Sequence, residues 1–160
     1  TGLTILTHGL VPSMIKQGRG AILNVSSIAG LFWSPSYAAY SGTKYFVTAF
    51  TESIRADLQD HGIVVSGLYP GPVATEFVSI SGNPFEIDAP GFVELSASAC
   101  ARSGLRALEK GRAAVIPGFV PWLLVWIVRL TPNPILRYTQ RLVARFIRWR
   151  AARAQTHEKP

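Results

Sequence analysis

A serine, a tyrosine and a lysine carry the clearest chemical signal in the chain. Tyr40 and Lys44 stand four apart in a stretch that reads as helix, so their side chains share one face. A free phenol titrates near about 10. A neighbouring ammonium favours phenolate and brings the phenol closer to acid/base work at neutral pH. Ser27 lies in the loop ahead of that helix. A hydroxyl near the same point can hydrogen-bond a substrate oxygen and stabilise charge developing on it. The three could together handle a proton at a carbonyl or carbinol. Tyr37 competes poorly for the role, because the position four along is Ser41. A tyrosine and a lysine four apart are also an ordinary pair on a helix surface, so the elements around them decide.

Those elements alternate. Residues 1–16 carry apolar side chains at helical spacing (Leu3, Leu6, Leu10, Met14), and Gly18 and Gly20 stop the helix. Residues 21–25 form a short apolar run, expected as a strand buried on both faces. Ser36 is the expected N-cap of a helix over 37–60, which His61-Gly62 closes. Residues 63–68 are rich in β-branched side chains and read as a second strand. Residues 73–90 read as a Gly/Pro/Ser loop with one helical turn, longer than a plain connector and so expected to be a functional lid or substrate loop. A helix over 94–109 and a strand over 113–116 complete the series. Helix and strand in alternation predict an α/β fold, a parallel sheet with helices on its faces. Ligands of such sheets bind at the carboxyl ends of the strands, so the loops 26–35 and 70–81 should line one crevice.

Composition agrees with a core-forming chain: 48% of the 160 residues are hydrophobic and 16% charged. One cysteine, Cys100, excludes an internal disulfide framework and suits a reducing, cytoplasmic compartment. It sits among small residues, where a packed helical thiol is expected. No cluster of His, Cys, Asp or Glu has metal-ligand spacing, so no metal is expected. The net charge of +7 is uneven. Residues 1–100 hold four Lys/Arg against seven acids, whereas residues 101–160 hold twelve against two. Basic character therefore belongs to the tail. The chain opens on Thr1 with no charged, apolar leader, and the abrupt start is expected of a piece of a longer chain.

Taken in order, Asn24-Val-Ser-Ser27, a thirteen-residue step to Tyr40, Tyr40-Ser-Gly-Thr-Lys44 and Leu68-Tyr-Pro-Gly-Pro-Val-Ala-Thr75 resemble the short-chain dehydrogenase/reductase superfamily. The match spans Thr1 to about Phe77. The resemblance implies that residues 1–117 are the C-terminal part of a Rossmann-like doubly wound parallel sheet. It implies that Tyr40 is the general acid/base and that Ser27 orients the substrate oxygen. Lys44 would lower the Tyr40 pKa and hold the nicotinamide ribose, with Pro70, Gly71, Val73 and Thr75 forming the loop against the cofactor. The cofactor would be NAD or NADP, with a slight lean to NADP. The implied activity is interconversion of a carbonyl and an alcohol by hydride transfer on a small apolar substrate. The helix over 37–60 resembles the one that builds homo-oligomer interfaces in the family.

The family's glycine-rich phosphate-binding turn is not found in these residues. Gly18 and Gly20 follow a helix and precede a strand, the wrong order for that fingerprint. The asparagine that the family places just ahead of a stretch like Thr1-Gly-Leu-Thr would fall before residue 1. These 160 residues alone are therefore expected to bind nicotinamide cofactor poorly and to turn over nothing. The competing expectation is a truncated, non-catalytic relative acting as a binding or membrane-surface module.

After Pro117 the character changes. Residues 119–130 are almost wholly apolar, and residues 135–152 are amphipathic with five arginines. We expect a helical extension over 118–153 and a frayed tail over 154–160; the extension resembles that of the DltE-like subgroup of these reductases. The apolar run is too short and too interrupted by proline to span a bilayer, which needs about 20 apolar residues. A membrane-surface helix and a helix packed on protein both fit, since amphipathic helices serve either role. No nucleic-acid module surrounds the arginines, and no nucleic-acid partner is expected.

Overall fold

The computed structural model describes residues 2–76, 80, 91 and 93–157. Helix α1 spans Gly2–Gln17. Gly18 closes it with φ +65, its N–H bonding the Ile15 carbonyl at 3.0 Å while the Arg19 N–H bonds that of Met14 at 3.2 Å. That bond pair ends a helix through one left-handed residue, which glycine adopts without steric cost. Strand β1 (Gly20–Val25) follows, then a single 3-10 turn over Ile28–Gly30 and helix α2 (Ala38–Leu58). A second 3-10 turn, Gln59–His61, and Gly62 at φ +70 lead into strand β2 (Ile63–Leu68). Two short strands come next, β3 (Val73–Ala74) and β4 (Leu95–Ser96), then helix α3 (Ala97–Glu109) and strand β5 (Ala114–Val115). Helices α4 (Phe119–Leu130) and α5 (Asn133–His157) complete the chain.

The main sheet has the order β1-β2-β5, parallel throughout, with Gly20 opposite Ile63 and Val25 opposite Leu68. Central β2 is the buried strand, with Val65 and Ser66 fully enclosed. Its Val65 packs with Leu58 and Ile63 into a core that Val11 and Met14 of α1 and Ile22 and Ile54 close from the sides. Burying such a valine contributes about 1.5–3 kcal/mol. Cys100 is buried in α3, and burial raises its pKa.

Four expectations need correction. Strand β1 is not buried on both faces: Asn24 alone is buried, and Val25 is 54% exposed. The cause is its place at the margin of this sheet, paired only with β2 among the described residues. Ser36 does not cap α2. It holds φ +69, whereas a capping serine needs extended backbone, and Tyr37 takes the position with no side-chain bond. The helix expected from residue 94 starts at Ala97, because Ser96 is its cap, Oγ accepting from the Ala99 N–H at 3.3 Å. The residues before it form β4, which pairs parallel with β3 inside the stretch expected as loop. Two-residue strands carry too little period to read. Of the stretch 73–90 where one helical turn is expected, residues 77–79 and 81–90 lie outside the described residues, and Ile80 is helical, its N–H bonding the Glu76 carbonyl at 3.0 Å.

Beyond Gly118 the chain forms α4 and α5, and α5 runs on to His157, so residues 154–157, expected as a frayed tail, are helical, while residues 158–160 lie outside the described residues. No helix among the described residues is long and apolar enough to cross a membrane.

Candidate functional site

The two strand ends run on side by side after the sheet stops. The Ser26 N–H bonds the Leu68 carbonyl at 2.8 Å and the Ile28 N–H bonds that of Pro70 at 2.9 Å. Parallel pairing therefore carries the 26–28 and 68–70 segments into one place at the carboxyl edge of β1 and β2. Ser27 caps the 3-10 turn there. Its Oγ accepts from the Ala29 N–H at 3.2 Å and donates to the Pro70 carbonyl at 3.4 Å. That second bond is long for an O–H donor, whose usual distance is about 2.7–2.8 Å. A better acceptor could take its place.

Ser26 does different work. Its buried Oγ donates to the Lys44 carbonyl at 2.9 Å and lies 3.0 Å from Thr48 Oγ1, which fastens the loop to α2. Gly30 makes that contact close: a Cβ there would lie 2.6 Å from both the Lys44 carbonyl oxygen and Ser26 Oγ. One helical turn deeper, buried Asn24 donates to Thr51 Oγ1 at 2.9 Å. These bonds set α2 against the end of β1 and so fix where Tyr40 and Lys44 point.

The Lys44 ammonium lies 5.7 Å from the centroid of the Tyr40 ring, within cation–π range. The same Nζ donates to the Val25 carbonyl at 3.3 Å, two residues before Ser27. Burial lowers the Lys44 pKa from 10.5, because desolvation disfavours the charged form. Tyr37 meets the Tyr40 ring edge-on at 6.1 Å.

The second loop is held from outside the sheet. Gly71 packs so close to Pro121 of α4 that a Cβ would lie 2.6 Å from its Cγ. Val73 belongs to β3, the Pro72 carbonyl accepts from the Leu95 N–H at 3.1 Å, and Thr75 Oγ1 donates to the Val73 carbonyl at 3.3 Å. Helix α5 reaches the first loop, where Gln140 Nε2 donates to the Trp33 carbonyl at 3.2 Å.

Three contributors carry no local signal in the sequence. Tyr69, 1% exposed, donates to Glu52 Oε1 at 3.4 Å. Its pKa is pushed up to about 12 by burial first and the Glu52 carboxylate second. Pro121, which reads as an interruption of an apolar run, is the ring against Gly71. Gln140 lies 107 residues from Trp33, and no spacing rule reaches that far. A cleft of about 400 Å³ on α3 and β5, lined by Arg102, Arg106, Lys110 and Arg112, shares no residue with the site. No group of three His, Cys, Asp or Glu among the described residues could hold a metal ion.

Whether these residues suit a nicotinamide cofactor is a question of donors. The Lys44 ammonium has three N–H donors and spends one on Val25. Two remain beside the Tyr40 phenol, a set that suits vicinal ribose hydroxyls, and it fits.

A family profile described as short chain dehydrogenase matches residues 1–83, more than half of the 160. An uncharacterized oxidoreductase of Myxococcus xanthus is 33% identical over 140 residues, 84% of this chain and 51% of that protein. A very-long-chain 3-oxoacyl-CoA reductase of Anas platyrhynchos is 29% identical over 145 residues, 89% of this chain and 45% of that protein. Among solved structures, a short chain dehydrogenase from Burkholderia cenocepacia in complex with NADP superposes with a TM-score of 0.71 at 26% identity. That match covers 87% of this chain and 54% of the other. The chain spans about half the length of the curated relatives it matches.

Proposed function

Because the chain belongs to the short chain dehydrogenase family, we propose that it supplies the proton-transfer half of an NAD(P)-dependent oxidoreductase. The reaction interconverts a carbonyl and an alcohol on a small apolar substrate. The observation that carries this reading is the placement of the Lys44 ammonium. It stands over the Tyr40 ring and is tied to the Val25 carbonyl at 3.3 Å, two residues ahead of Ser27. NADP-bound and NAD-bound neighbours of the same fold support a nicotinamide cofactor.

When bound, the nicotinamide cofactor supplies or accepts the hydride. Lys44 and Tyr40 would hold its ribose, and Pro70, Gly71, Val73 and Thr75 would form the loop against it. In the reductive direction the Tyr40 hydroxyl donates its proton to the substrate oxygen as negative charge builds there. The Lys44 cation stabilises the phenolate left behind. Ser27 turns its hydroxyl from the long Pro70 bond to the same oxygen, adding a donor where charge develops. In the oxidative direction Tyr40 takes the proton back.

The test is Tyr40→Phe in the full-length protein, assayed with a panel of apolar ketones and alcohols. Removing a general acid/base lowers turnover by roughly 10²–10⁴-fold, whereas nucleotide binding, still held by Lys44 and the second loop, should weaken far less. Retained turnover would refute the role. Loss of nucleotide binding without any measurable native activity would favour a binding module.

A further inference from the structure

Helix α5 has two apolar stripes, and the fold uses one of them. Leu136 and Ile147 are buried, with Gln140 and Ala144 half-buried between them. They form the side turned to the rest of the chain, where Gln140 bonds the Trp33 carbonyl. At about 100° per residue, Ile135, Tyr138, Leu142, Phe146 and Trp149 align on another side. Each of them is 45–62% exposed. Arg137, Arg141, Arg145 and Arg148 form a third stripe, exposed and roughly a quarter-turn from the apolar one. Helix α4 repeats the pattern. Pro121 and Val125 face inward, while Phe119, Trp122, Trp126, Ile127 and Leu130 are 43–76% exposed. The aromatic rings stack on one another along the outside, Phe119 on Trp122 and Phe146 on Trp149.

A surface helix satisfied by its own protein has one apolar side. A second one, rich in aromatic rings and flanked by arginine, needs an occupant. Charge decides which. From Lys110 to His157 the chain has nine Lys/Arg and no Asp or Glu. A second copy brought face to face would set like charges against each other. A nucleic acid would satisfy the arginines and leave the apolar stripe against water. An anionic lipid surface satisfies both, taking the rings and aliphatic chains at the headgroup boundary and the arginines at the phosphates.

We propose that the outer side of the α4–α5 hairpin docks on an anionic lipid bilayer, lying in its surface without crossing it. This goes beyond the oxidoreductase reading and stands or falls independently of it.

The experiment is flotation of the full-length protein with vesicles of phosphatidylcholine alone or mixed with phosphatidylglycerol. Binding is expected only with phosphatidylglycerol, weakening as salt is raised. Reversing Arg141 and Arg145 to Glu, two exposed positions outside the site, should weaken it by roughly fivefold or more per residue. Leu142→Ser with Phe146→Ser should also reduce it, and brominated acyl chains should quench the native Trp fluorescence. Absence of flotation at low salt overturns the proposal. So does flotation that neither pair of substitutions alters, or a homo-oligomer whose assembly both pairs abolish while vesicles go unbound.

Discussion

A half-buried ammonium loses its proton early. Because burial lowers the Lys44 pKa below 10.5, the folded protein releases that proton at a lower pH than the unfolded chain does. Between the two values the unfolded state binds more protons, so this group's contribution to stability rises with pH across that window. The proposed proton transfer would move the opposite way, since the cation beside Tyr40 is what fades. In a nuclear magnetic resonance titration the Lys44 midpoint should fall below 10.5. Lys44→Arg, which stays charged, should move the alkaline limb of cofactor binding upward, and an unmoved limb would assign that limb to another group. Tyr69 has the reverse sign. Its folded pKa of about 12 lies above the ordinary phenol value of 10.0, so its stabilisation is complete below 10 and is lost as pH climbs towards 12. Thermal melts in alkaline buffer should decline across that range, and Tyr69→Phe should flatten the decline. An equally steep fall in the variant would place the titration elsewhere.

At the scale of elements, the contact between α2 and the turn after β1 is the joint that positions the site. Gly30 has no room for a side chain between the Lys44 carbonyl, Ser26 Oγ and Thr48 Oγ1. Gly30→Ala should cost about 1–3 kcal/mol through forced displacement, read as a lower denaturant midpoint. A stability equal to the native protein would show that the joint yields freely. The sequence made the long elements legible because period and punctuation agree there: α1 ends at its glycine, and β2 occupies the expected residues 63–68. Ser27, Tyr40 and Lys44 could be singled out for the same reason, each lying on or beside a strongly patterned segment. What stayed hidden depends on distant partners. The exposure of β1 follows from its place in the sheet, the cap at Ser96 from a neighbouring strand pair, and the Pro121–Gly71 contact from an extension folding back. None of these leaves a local pattern.

Taken whole, the molecule presents a well-filled middle and open margins. Val65 and Val125 are sealed, while β1 shows Val25, and α1 shows Ile5, Leu6 and Leu10. The strand ends that carry Ser27 and Pro70 lie side by side at one edge of the sheet, and no glycine-rich phosphate turn occurs within these residues. These 160 residues by themselves should accordingly bind NADPH or NADH weakly and without saturation in a calorimetric titration. A saturable isotherm would show that the phosphate-binding turn is dispensable.

The bond between Gln140 and Trp33 has a consequence in time. It joins positions 107 residues apart, and a ribosome adding roughly 5–20 residues per second needs about 5–20 s to cover that distance. The loop leading to Tyr40 is thus made early and fastened late. Until α5 has emerged, the nascent chain carries Tyr40 and Lys44 on a segment still awaiting its last tether.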